Sequence, residues 1–222
     1  MQINDLPDIV TGAAVHPGVG TLRNWYSPWR YIHSSWLGGD GALGAALQRS
    51  DVLQRRLAYP AWCERFALAR HPESIDGSVW WMLAFADDAV FQRADRLVGL
   101  AMLFAQHRSK SLGLGRDARA CGASGDDVRW ALSRACLIPG AVFEPDDLCG
   151  EEKTGFYGLA SVKLALADSN PALFRRIALR YATEQVNSPS RTALVATGSN
   201  AHRAARILAR LWGAALQHAG DG

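Results

Sequence analysis

Between residues 91 and 105 the apolar side chains return at every third or fourth position, and that interval decides the fold class. Phe91, Ala94, Val98, Ala101, Met102 and Ala105 form one stripe, while Gln92, Arg93, Asp95 and Arg96 mostly turn away from it. A strand would alternate instead. The same interval recurs along the chain. Leu43 with Leu47 and Leu53 with Leu57 predict a helix up to Ala58, and Pro60 then sits where a first-turn proline opens a second one bearing Trp62 and Phe66. Ser74 is placed to cap the run Val79 to Phe85, hydrophobic nearly all round and so expected to be the central helix. Ser124 with Asp127 reads as a capping box ahead of inward-facing Val128, Leu132 and Ala135. Gly155, Leu159, Val162 and Leu166 line a further helix. Asn170 and Pro171 start its hairpin partner, which carries Phe174, Ile177, Ala178 and Tyr181. A last helix turns Ala204, Leu208, Leu211, Trp212 and Ala215 inward. The expectation is an all-α fold: an N-terminal arm over 1–24, then one irregular helical bundle over 25–218.

Composition narrows the class of function. With 49% apolar and 20% charged residues over 222 positions, the chain has globular composition and is long enough to bury a sizeable core. A net charge of +3 is too mild for the electrostatic footprint of a dedicated nucleic-acid binder. The N-terminus carries acidic residues where a signal peptide needs basic ones and lacks a continuous apolar stretch. The longest strongly apolar run, Val79 to Ala86, falls well short of the roughly 20 residues that span a bilayer. A cytoplasmic location is therefore expected. Cys63, Cys121, Cys136 and Cys149 are scattered without metal-ligand spacing and read as buried free thiols.

The densest chemistry lies in Trp25 to Leu37, WYSPWRYIHSSWL. Each Trp or Tyr pairs a large apolar body with one polar handle, which suits a half-buried anchor. Trp29, Arg30, Tyr31, His33 and Trp36 are the candidate partner-binding residues of this segment, with Tyr31 and Ile32 the expected core plugs. Arg203, Arg206 and Arg210, extended by Arg191, form a basic face that suits an acidic protein surface. The remaining motifs are weak. Gly113 and Gly115 follow a helix, without the preceding strand or third glycine of a dinucleotide loop. Asp87, Asp88 and Asp95 evoke a Mg²⁺-holding acidic box, but Asp95 lies too far along, and a helix N-terminus accounts for the first two. His33 has no adjacent carboxylate or nucleophile. Trp80 and Trp81 read as core. No catalytic residue, metal ligand or cofactor is predicted.

Ser27-Pro28, Tyr31-Ile32-His33 and Leu37 resemble, in register, the D/S-P-x-x-Y-I-H/N-x-x-x-L segment of the OrgA/MxiK/YscK proteins, also called SctK. Trp80 to Ala105 is similar to that family's mid-chain helical pair. Gly158 to Ala167 with Phe174 to Arg180 is similar to its C-terminal hairpin, and the final basic helix, Ala201 to His218, matches less well. The resemblance implies a non-enzymatic adaptor of bacterial type III secretion at the cytoplasmic face of the inner membrane. Its implied partners are the SctQ-type pod protein and the cytoplasmic domain of the SctD-type ring protein. Two other readings of the residues are an all-α Mg²⁺-dependent pyrophosphate-binding enzyme and a helical regulator acting on nucleic acid through the Arg191 to Arg210 face.

Overall fold

The computed structural model describes residues 24–37, 49–72, 77–106, 122–138, 150–187 and 199–221. Among them are eight α-helices and no strand, so the fold is all-α. The helices are α1 (Val52–Arg65), α2 (Val79–Phe85), α3 (Asp88–Gln106), α4 (Gly125–Ala135), α5 (Gly150–Leu166), α6 (Pro171–Ala178), α7 (Thr183–Asn187) and α8 (Ser199–Gly220). Ahead of them the aromatic segment makes two short 3₁₀ turns, Pro28–Arg30 and Ser34–Leu37. Leu43, Leu47, Ser74, the glycines at 113 and 115, and Arg191 lie outside the described residues, as does the arm before Asn24.

The central helix is α3, not α2 as its all-round hydrophobicity suggested. α3 buries a run of residues from Leu97 to Ala105 and packs against α4, α5 and α8. α2 is only seven residues long and leaves Met82 exposed, because its neighbours α6 and α8 cover it from limited directions. Pro60 does not open a helix either. It lies within α1, which begins at a capping box formed by Asp51 and Gln54. The inward face of α1 is then Tyr59, Trp62 and Cys63, which leaves Leu53 and Leu57 on the exposed side. In α4 the capping box of Ser124 and Asp127 is present, Ala131 and Ala135 are buried, and Leu132 is exposed. Of the four cysteines expected as buried thiols, Cys63 is buried and Cys136 is exposed, and Cys121 and Cys149 lie outside the described residues.

α3 and α5 approach so closely that glycine is required between them. A Cβ added at Gly99 would press on the Thr154 backbone, 2.8 Å from its Cα, and one added at Gly158 would lie 2.7 Å from Cγ of Asp95. The Asp95 carboxyl therefore rests against the glycine face of α5, where it accepts a hydrogen bond from the Tyr181 hydroxyl at 2.5 Å. α8 closes the other side. Trp212 is fully buried, stacks on Phe91 and donates Nε1–H to Ser161 Oγ at 2.9 Å. Among the described residues no helix is long and apolar enough to cross a membrane.

Two glycine-to-alanine changes separate close packing from helix propensity. Gly99→Ala should lower stability by about 1–3 kcal/mol or more, because rigid backbone blocks the added methyl. At Gly213, in the interior of α8, an added Cβ meets only Val79 Cγ2 at 3.7 Å. Gly213→Ala should therefore gain about 0.5–1 kcal/mol. Urea denaturation of both variants reads the contrast, and equal effects would refute the glycine-seam geometry.

Candidate functional site

The aromatic segment is held on the bundle by two arginines of α6 and its C-terminal turn. Asn170 caps α6 by accepting the Leu173 N–H, and Pro171 occupies the first turn. From there Leu173, Arg176, Ile177 and Arg180 follow each other at helical spacing, all buried. Arg176 is 1% exposed. Its Nη1 donates to the Trp25 carbonyl at 2.6 Å and to the Tyr31 hydroxyl at 3.4 Å. Its Nη2 donates to the Ala69 carbonyl at 2.7 Å and to the Tyr59 hydroxyl at 3.1 Å. The guanidinium lies 3.8 Å from the Trp25 ring centroid, and among the described residues no carboxylate is ion-paired with it. Neutral acceptors and a π-face thus carry a buried cation, with Nη1 serving the aromatic segment and Nη2 serving α1 and the turn that follows it.

The backbone of the segment is held as well. His33 N–H donates to the Leu179 carbonyl at 2.8 Å, and Trp36 Nε1–H to the Tyr181 carbonyl at 2.7 Å. Ser35 Oγ accepts the Thr183 N–H at 2.9 Å and lies 2.9 Å from His33 Nδ1. Because the Ser35 N–H also points at Nδ1, that nitrogen is an acceptor and the ring proton sits on Nε2. His33 therefore orders the turn between the two 3₁₀ elements. Trp29 edges onto Trp62, and Trp36 onto Phe66. Trp29, Tyr31, Leu37, Tyr59, Trp62, Cys63, Leu68 and Leu179 form a second small core, apart from the main one that contains Trp25. The chain between them turns at Ala67, whose φ of 50° lets the Leu68 N–H reach the Cys63 carbonyl and directs the Ala67 carbonyl to Arg175.

Arg180 joins the segment to α2 and α3. Its guanidinium lies between the rings of Tyr31 and Phe91, 4.4 and 4.5 Å from their centroids, and Nη2 donates to the Ala86 carbonyl at 2.6 Å. Nη1 lies 3.7 Å from Asp88 Oδ1, beyond hydrogen-bond reach. Burial pulls Arg180 below the ordinary guanidinium value. A cleft of about 380 Å³ opens here, lined by Asn24, Arg30, Tyr31, Ala86, Asp87, Asp88 and Arg180.

The expected partner-binding residues thus divide. Trp29 and Tyr31 are buried, Trp36 is half-buried, and Arg30 and His33 are exposed on the same segment. Arg203, Arg206 and Arg210 are exposed along α8. Asp87 and Asp88 begin α3, whereas the Asp95 carboxyl is committed to Tyr181. Among the described residues no group of three or more His, Cys, Asp or Glu is placed to hold a metal ion. Sequence reading passed over Arg176 and Arg180 as site residues. Their signal was a pair of arginines at i, i+4 on the apolar side of a short helix, in a chain rich in Trp and Tyr. Compared with protein-family models, curated proteins and solved structures, the chain matches none.

Two measurements test this electrostatic design. Arg176→Lys cannot span the acceptors, and leaving the Trp25 and Ala69 carbonyls short of donors should cost about 2 kcal/mol or more. Urea unfolding followed by tryptophan fluorescence reads that loss, and an unchanged midpoint would remove the clamp from the argument. The second concerns Asp95, whose carboxyl burial pushes up to about 7 against the opposing Tyr181 hydrogen bond and Arg96 charge. Folded protein holds this proton after the unfolded chain has released it, so ionisation weakens the fold as pH rises from about 4 to 7. Asp95→Asn, which still accepts from Tyr181, should match the wild type near pH 4 and exceed it by about 2 kcal/mol above pH 7. A stability difference independent of pH would refute the assignment.

Proposed function

We propose that this chain is a non-enzymatic adaptor of bacterial type III secretion, of the OrgA/MxiK/YscK kind. It bridges the SctQ-type pods of the sorting platform to the cytoplasmic domain of the SctD-type ring protein, at the cytoplasmic face of the inner membrane. One observation carries the reading: the two most separated stretches of the resemblance meet in space. Pro28 opens the first 3₁₀ turn, and Tyr31, His33 and Leu37 of the N-terminal motif lie on Arg176, Leu179 and Arg180 of the C-terminal one. Residues about 145 positions apart in sequence thereby form one physical unit, which supports treating the scattered likeness as a single inherited device.

The mechanism is mutual bridging through surface charge around a rigid aromatic base. Trp29 and Tyr31 stiffen the segment from inside, so Arg30 and His33 are presented in a fixed geometry and lose little freedom on binding. Arg203, Arg206 and Arg210 supply a second basic surface on a different helix. Co-purification with the SctQ-type protein, and separately with the SctD-type cytoplasmic domain from the same genome, tests the bridge. Both should be retained by folded protein. Retention of neither would overturn the reading.

A further inference from the structure

The cleft beside the aromatic segment contains an arginine positioned for a ligand that the described residues do not supply. The Arg180 side chain is 1% exposed, yet among the described residues its Nε and Nη1 have no hydrogen-bond partner. Stacking between Tyr31 and Phe91 fixes the plane of the guanidinium, and the bonds from Nη2 to the Ala84 and Ala86 carbonyls fix its rotation. Among the described residues only the Asp88 carboxylate is ion-paired with Nη1, at 3.7 Å, and that aspartate is half-exposed and already accepts from Gln92 Nε2 at 2.9 Å. Asp87, on the same rim, accepts from Asn24 Nδ2 at 3.3 Å. Arg30 faces the cleft from the end of the first 3₁₀ turn, exposed and without an ion-pair partner among the described residues.

We infer that this cleft is a receptor for the carboxylate of an acidic side chain on a partner protein, gripped between Arg180 Nη1 and Arg30. A buried, pre-oriented guanidinium with free donors binds carboxylate or phosphate through charge-assisted hydrogen bonds. The two rim aspartates select between them. With two arginines and two aspartates, the lining has no net charge to offer a dianion, whereas a single carboxylate needs only to displace Asp88 from its loose contact. The aspartates then face the residue beside that carboxylate, and favour a basic or neutral neighbour over a second acid.

The inference deepens the adaptor reading by naming the chemistry of one docking point, but its first test does not depend on that reading. The full chain, labelled with ¹⁵N-arginine, is titrated with acetyl-Gly-Glu-Gly-amide, with its glutamine counterpart and with inorganic phosphate, while the Nε–Hε resonances of Arg30 and Arg180 are followed. The glutamate peptide should shift both saturably, and the glutamine peptide should not. Arg30→Glu should weaken that binding by about tenfold, and Asp88→Asn should tighten it severalfold by removing the internal competitor. Both substituted residues are exposed, so an unchanged melting temperature verifies the fold, and a purely structural role would not produce opposite signs. No saturable shift, an equal response to glutamine, tighter binding of phosphate, or an Asp88→Asn variant that fails to tighten binding would each overturn the inference. Failure to retain either secretion partner would instead remove the adaptor reading and leave the carboxylate site standing.

Discussion

The guanidinium of Arg176 is the constraint around which the N-terminal half of this molecule is arranged. Taking a cation out of water is costly, and here the compensation comes from two carbonyls, two phenolic hydroxyls and the face of Trp25 rather than from a carboxylate. Those acceptors come from three stretches of chain: the aromatic segment, α1 and the turn after α1. All lie more than 100 positions from Arg176 in sequence. The fold must bring all three to α6 at once, or the charge is left unsatisfied, so the cost of burying it becomes a source of specificity for one arrangement.

From that point the constraint passes to the rest of the bundle through a short series of contacts. Trp36 donates to the carbonyl of Tyr181, and the hydroxyl of the same tyrosine donates to Asp95 on the central helix. Asp95 in turn occupies space that only glycine at 158 leaves open. The aromatic segment, α6, α3 and α5 are thus coupled by a carboxyl whose proton comes off near neutral pH. In the first turn of α4, Asp127 behaves in the opposite sense. Burial acts to raise it, but the Ser124 hydrogen bonds and Arg93 outweigh burial and hold it below the usual carboxylate range. The two aspartates differ because one has cap donors at a helix N-terminus and the other faces a dry helix–helix seam.

Local signals in the sequence were legible where the deciding interaction is local. The cap at Ser124, the start at Asn170 and Pro171, and the inward Leu208, Leu211, Trp212 and Ala215 of α8 all depend on residues within a few positions of one another. The misreadings arose where tertiary placement decides. Hydrophobicity alone made Val79 to Phe85 look central, but a seven-residue helix cannot be packed on as many sides as the nineteen-residue α3. Leu53 and Leu57 have helical spacing, yet the larger rings of Tyr59 and Trp62 claim the inward face of α1. The arginines of α6 were hidden by the ordinary expectation that charge lies outside. Only the presence of several unattached Tyr and Trp side chains elsewhere in the chain could have suggested where two buried cations would find partners.

That placement changes what an aromatic-rich segment means for recognition. Exposed tryptophans would make the segment itself the hot spot of an interface. With Trp25 and Trp29 buried and Trp36 tied to Tyr181, the rings instead act as a foundation, and in the proposed adaptor any recognition falls to the charged residues beside them. The backbone at Arg30 is held because its neighbours on both sides are core residues, and the Arg180 guanidinium is held because Tyr31 and Phe91 enclose it. α8 presents Arg203, Arg206 and Arg210 from a helix that packs on α2, α3 and α5, whereas the aromatic segment rests on α1 and α6. The two basic surfaces are thus founded on different elements, and the adaptor proposal draws on that separation, since occupancy of one would not require rebuilding the other.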